Sequence, residues 1–128
     1  MAPKILVVDD EHDIEMLFKL RFRKELKNKT LDFHFEFSGE AALKFIEQTS
    51  PMDILLILSD INMPGMNGLE MVQRIKESHP ELKIIMVTAY GDENNYNDAK
   101  KRGVDDFITK PVDFEVLKNA MGKFIPVA

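Results

Sequence analysis

Three runs of consecutive aliphatic residues restrict the fold more than any other feature: Ile5-Leu6-Val7-Val8, Ile54-Leu55-Leu56-Ile57-Leu58 and Ile84-Ile85-Met86-Val87. None leaves a polar face, so each reads as a strand covered on both sides. The segments between them carry the helical period instead. Ile14, Phe18, Phe22 and Leu26 recur every four residues with Leu17 beside them, which predicts one helix over 13–26. Ala42, Leu43 and Ile46 mark a helix over 39–48, and Met71, Val72 and Ile75 one over 69–78. Leu31, Phe33, Phe35 and Phe37 alternate with Asp32, His34 and Glu36, the spacing of a strand with one wet face. Residues 92–102 read as a helix closed by Gly103, and 104–108 as a short strand. Asp113 caps a last helix with the stripe Phe114, Leu117, Met121 and Phe124, ended by Pro126. Five strand–helix pairs result. Buried strands separated by helices predict an α/β architecture, a parallel sheet with helices on both faces and right-handed crossovers.

Residues 1–128 are read as one domain, since a domain takes about 150 residues. The absence of cysteine excludes a disulfide scaffold, a thiolate zinc site and a thiol nucleophile, and fits a reducing, cytoplasmic location. The longest apolar run, Ile54 to Leu58, is far short of the roughly 20 residues of a membrane helix. With 17 basic and 22 acidic residues the net charge is −5, which disfavours nucleic acid as a partner for the surface as a whole. His12, His34 and His79 lack ligand spacing. The basic run Lys19, Arg21, Arg23, Lys24, Lys27 and Lys29 reads as a solvated helix face or a dock for an acidic partner.

In such a sheet, ligands sit beyond the carboxyl ends of the strands. Asp9, Asp10 and Glu11 follow the first strand, Asp60 the third, Thr88 the fourth and Lys110 the fifth. Carboxylates gathered at one edge repel one another. A hard divalent cation such as Mg²⁺, which takes oxygen ligands, resolves the conflict. One carboxylate is then a nucleophile for a phosphoryl group, Lys110 offsets charge on its oxygens and Thr88 donates a hydrogen bond. Taken singly, each residue has a plainer reading. Acids favour helix starts, Asp60 lies in the turn-rich run Ser59-Asp60-Ile61-Asn62-Met63-Pro64-Gly65, and a lone threonine or lysine is usually structural or solvated. Their coincidence at successive strand ends points to a phosphoryl site.

The runs Ile5-Leu6-Val7-Val8-Asp9-Asp10-Glu11, Ser59-Asp60-Ile61-Asn62-Met63-Pro64-Gly65-Met66-Asn67-Gly68, Val87-Thr88-Ala89-Tyr90-Gly91 and Asp106-Phe107-Ile108-Thr109-Lys110-Pro111 resemble, in order, those of the receiver domain of bacterial two-component response regulators. The resemblance covers nearly the whole chain. It implies a flavodoxin-like (βα)5 sheet in the order 2-1-3-4-5. It implies Asp60 as phosphoacceptor, with Mg²⁺ held by Asp9, Asp10, Asp60 and the backbone carbonyl of Asn62, Asp10 being the more direct ligand of the acid pair. Thr88 and Lys110 would bind the phosphoryl group, Thr88 and Phe107 would form the switch, and Asn62 and Tyr90 would tune the acyl-phosphate lifetime. The Phe107 ring also has the plainer reading of a core or rim aromatic. The Lys110-Pro111 peptide is expected to be cis. The expected phosphodonor is a sensor histidine kinase or phosphotransfer protein, and the output a downstream protein or output domain. The chain would be a stand-alone regulator or a fragment of a longer one, and not a turnover enzyme.

Two other functions fit the residues less well. A Mg²⁺-dependent aspartyl phosphatase usually carries a second acid two residues after its nucleophile, where this chain has Asn62. A nucleotide or flavin binder needs a phosphate-cradling loop after the first strand, where Asp9-Asp10-Glu11 would repel phosphate. Within the chain, 92–102 is the weakest helix by composition, since Asn94, Asn95, Asn97 and Asp98 compete for backbone hydrogen bonds. With the last strand and last helix it is the expected signalling surface.

Overall fold

The computed structural model describes residues 4–49, 53–61, 63, 65–88, 93–110 and 112–124. Its strands are β1 (Lys4–Val8), β2 (Asp32–Glu36), β3 (Ile54–Asp60), β4 (Lys83–Thr88) and β5 (Asp106–Thr109). Its helices are α1 (Asp13–Arg21), α2 (Arg23–Lys27), α3 (Gly39–Gln48), α4 (Gly68–Ser78), α5 (Glu93–Lys101) and α6 (Phe114–Met121). The sheet runs β2-β1-β3-β4-β5, every neighbouring pair parallel. This is the flavodoxin-like order expected.

The continuous apolar runs follow from the two-residue period of a strand with both faces covered. Leu6, Val8, Ile57, Ile84 and Met86 point to one face, where α3, α4 and α5 bring Ala42, Ile46, Met71, Val72, Ile75 and Ala99. Ile5, Val7, Leu56, Leu58 and Ile85 point to the other, against Phe18, Phe22, Leu117 and Met121. The cap at Asp113 is present, its carboxylate accepting from the N–H groups of Glu115 and Val116. Gly103 has φ +97°, the left-handed conformation that ends α5.

Three expectations need correction. The helix over 13–26 is two helices, broken at Phe22 (φ −107°, ψ 22°). Backbone bonds still run from Phe22 N–H to Phe18 and from Leu26 N–H to Phe22. The break seats the Phe22 ring, 1% exposed, among Phe18, Phe33 and Phe114. Leu17 is not inward; it is 38% exposed, at the margin of a stripe that Phe18 centres. The last strand begins at Asp106, not 104, because Asp105 turns its carboxylate back to accept from Ile84 N–H and from the Lys76 ammonium. Lys76 also donates to the Leu82 carbonyl, so α4, β4 and β5 are tied together at the amino end of the sheet.

Candidate functional site

The carboxyl edge of the sheet is built by register. Val8 lies beside Ser59, Asp60 beside Val87, and Thr88 beside Thr109. The residues that follow these positions are therefore brought to one rim. Asp60, the last residue of β3, is 3% exposed, and Asp9, one residue past β1, is 8% exposed. Asp9, Asp10 and Asp60 each offer a carboxylate oxygen, and these oxygens lie within 4.8 Å of one another. The Lys110 ammonium, just past β5, donates to Asp60 Oδ2 at 2.7 Å. Four of the residues expected at the site thus converge: Asp9, Asp10, Asp60 and Lys110. The backbone of Thr88 ends β4 at the same edge, while its side chain lies outside the described residues. Asn62, Tyr90 and Pro111 also lie outside them, and with them the cis peptide.

Electrostatics follow from this crowding. Burial pushes the Asp9 carboxyl above its ordinary 3.8, and the neighbouring charge of Asp60 adds to the rise. The N–H of Glu11, donating to Asp9 Oδ1 at 2.9 Å, and the charge of Lys110 offset only part of it. For Lys110, burial works to lower the pKa. Its hydrogen bond to Asp60, with the charges of Asp60, Asp9 and Glu11, outweighs burial and holds the ammonium above its ordinary 10.5. Clustered carboxylate oxygens with one acid resisting ionisation are a donor set that fits a hard divalent cation.

Two residues that sequence reasoning missed fix the Asp60 backbone. The Ser59 hydroxyl donates to the Asp60 carbonyl at 2.9 Å. Gly68, the first residue of α4, lies so close that a Cβ there would stand 2.2 Å from the same carbonyl oxygen. Its N–H donates to the Ile61 carbonyl at 2.8 Å. The signal in the sequence is the glycine that closes the run after Asp60.

Comparison with known proteins agrees with this geometry. The family model of the response regulator receiver domain matches residues 5–122. The chain belongs to this family. It is 32% identical over 127 residues to sporulation initiation phosphotransferase F of Bacillus subtilis, covering 99% of this chain and 97% of that protein. It is 36% identical over 115 residues to response regulator protein PilR of Pseudomonas aeruginosa, covering 90% of this chain but only 24% of PilR. Among solved structures, a response regulator receiver protein from Pseudomonas putida superimposes with a TM-score of 0.82 at 29% identity, covering 96% of this chain and 98% of that one. The receiver domain is thus a phosphoacceptor signalling module of the two-component type, not a turnover enzyme. Receiver domains bind Mg²⁺ at an acidic pocket, and act with histidine kinases or phosphotransfer proteins and with output domains. No described helix of this one is long and apolar enough to cross a membrane.

Proposed function

We propose that this receiver domain takes a phosphoryl group from the phosphohistidine of a sensor kinase or phosphotransfer protein onto Asp60, in the cytoplasm. The observation that carries the proposal is the Asp60 carboxylate, 3% exposed, with the Lys110 ammonium at 2.7 Å and oxygens of Asp9 and Asp10 within 4.8 Å. An Asp60 carboxylate oxygen attacks phosphorus, forming a P–O bond as the P–N bond to the donor imidazole breaks. The imidazole leaves with the electron pair of that bond. Attack of water on phosphorus later releases phosphate and restores the carboxylate.

Asp9, Asp10, Asp60 and the Asn62 carbonyl are the ligands proposed for Mg²⁺. When bound, the cation supplies positive charge that offsets the carboxylates and the phosphoryl oxygens. Lys110 orients Asp60 and pairs with the phosphoryl oxygens, and the Thr88 hydroxyl donates to one of them. Thr88 and Phe107 carry the switch to α5, β5 and α6. Asn62 orients the water that ends the signal, and Tyr90 shields the acyl phosphate from it.

The test is incubation with Mg²⁺ and acetyl phosphate followed by intact mass measurement, with Asp60→Asn as control. A phosphoryl adduct on the native chain alone is the expected result. An adduct of equal yield on Asp60→Asn reassigns the acceptor.

A further inference from the structure

Among the described residues, two side-chain contacts tie helix α5 and its carboxyl end to neighbouring elements. Among its described side chains only Ala99 is fully buried. At its carboxyl end Arg102 reaches back to α4, donating to Gln73 Oε1 at 2.7 Å and to the Leu69 carbonyl at 3.4 Å, while Asp98 holds the guanidinium at 2.9 Å. Nearer the middle of the helix the Tyr96 ring lies on the Phe107 ring of β5, centroids 4.2 Å apart and planes at 35°. Tyr96 is 40% exposed, whereas Phe107 is half-buried and packs against the core beneath α3, α4 and α5. In the same arrangement the Lys110 ammonium donates to the Asp60 carboxylate at 2.7 Å.

We propose that Tyr96 is a positioning residue for the phosphoryl reaction: its ring holds Phe107 in the place that belongs to unmodified Asp60, and so sets how tightly the site accepts a phosphoryl group. The proposal rests on the phosphoacceptor reading above. If loading Asp60 turns the Phe107 ring inward, that movement must break the Tyr96 contact, whose stability then opposes loading. Linkage makes the effect reciprocal: removing the contact tightens the site, and loading the site loosens α5. An aromatic pair of this geometry is enough for a change of about 2- to 10-fold in affinity.

The experiment measures binding of beryllofluoride, a phosphoryl mimic, in the presence of Mg²⁺ by titration calorimetry, with amide hydrogen exchange of α5 followed in parallel. Tyr96→Ala is expected to bind about 2- to 10-fold more tightly than the native chain. Its α5 amides should exchange quickly whether or not the mimic is bound, whereas those of the native chain should quicken on binding. Tyr96→Phe keeps the ring and should behave as native in both measurements. Thermal unfolding checks that each variant is folded, and Tyr96→Leu replaces the alanine variant if that one is not. Unchanged or weaker binding by the alanine or leucine variant overturns the proposal, as does a phenylalanine variant that behaves like alanine. A different failure, in which the native chain does not bind the mimic or Asp60→Asn binds it equally well, overturns the acceptor assignment and the Tyr96 proposal with it.

Discussion

Replacing Asp9 by asparagine should stabilise the protein without Mg²⁺ and abolish most of its stabilisation by Mg²⁺. Folding raises the Asp9 pKa above its ordinary 3.8, so the native chain holds this proton more firmly than the unfolded chain does. The ionised carboxylate therefore costs stability at neutral pH. That cost develops as pH rises from 3.8 through the raised value, and disappears again as pH falls below 3.8. The size follows from geometry. Two unit charges about 5 Å apart repel by about 3 kcal/mol at an effective dielectric constant of about 20. The Lys110 ammonium, 2.7 Å from Asp60, cancels part of this field, leaving a net gain of roughly 1–2 kcal/mol for the neutral amide. In a domain of this size each kcal/mol moves Tm by about 3–5 °C. The assay is thermal and urea unfolding of both chains in EDTA from pH 4 to pH 8, repeated at saturating Mg²⁺. A cation present at about 100 times its Kd adds about 2.7 kcal/mol to the native chain and much less to Asp9→Asn, which reverses the order. An asparagine variant less stable than the native chain in EDTA at pH 7 would refute the reasoning.

Three further outcomes are expected. Lys110→Met should lose about 1–3 kcal/mol by urea unfolding and most of its phosphorylation by acetyl phosphate. Since folding raises the Lys110 pKa, that stability difference should be constant from neutral pH up to 10.5 and close as pH climbs through the raised value. Gly68→Ala places a Cβ 2.2 Å from the Asp60 carbonyl oxygen, so it should cost about 1–3 kcal/mol or more and slow phosphorylation, measured by unfolding and by adduct formation. Asp113→Ala removes the cap of α6 and should cost about 1 kcal/mol while leaving the phosphorylation rate unchanged.

Strands β1, β3 and β4 were legible because burial on both faces demands unbroken apolar runs, β2 because its aromatics alternate with polar residues, and Asp9, Asp60 and Thr88 could be read directly at the carboxyl ends of the three buried strands. Hydrophobic spacing also located α3, α4 and α6 within a residue or so, apart from the early end of α6 at Met121. It did not reveal the break at Phe22. Every-fourth spacing continues through a local change of ψ, and only the aromatic cluster of Phe18, Phe33 and Phe114 decides where that ring must go. It placed Leu17 inward because a leucine beside a stripe scores with it, although the Phe18 side of α1 is the one that meets the sheet. The start of β5 moved because Asp105 is committed to Ile84 and Lys76, contacts about 20 to 30 residues apart in sequence that no local pattern encodes. The Tyr96–Phe107 stack and the approach of Gly68 to Asp60 were hidden for the same reason.

The bolt at the amino end of the sheet has a mechanical consequence. Lys76 and Asp105, only 16% and 20% exposed, join α4 to β4 and to the edge strand β5, at the opposite end from the carboxylates. Helix α4 is held at the other end too, where the Gly68 N–H donates to the Ile61 carbonyl at 2.8 Å, so it cannot shift along or across the sheet without breaking one of the two ties.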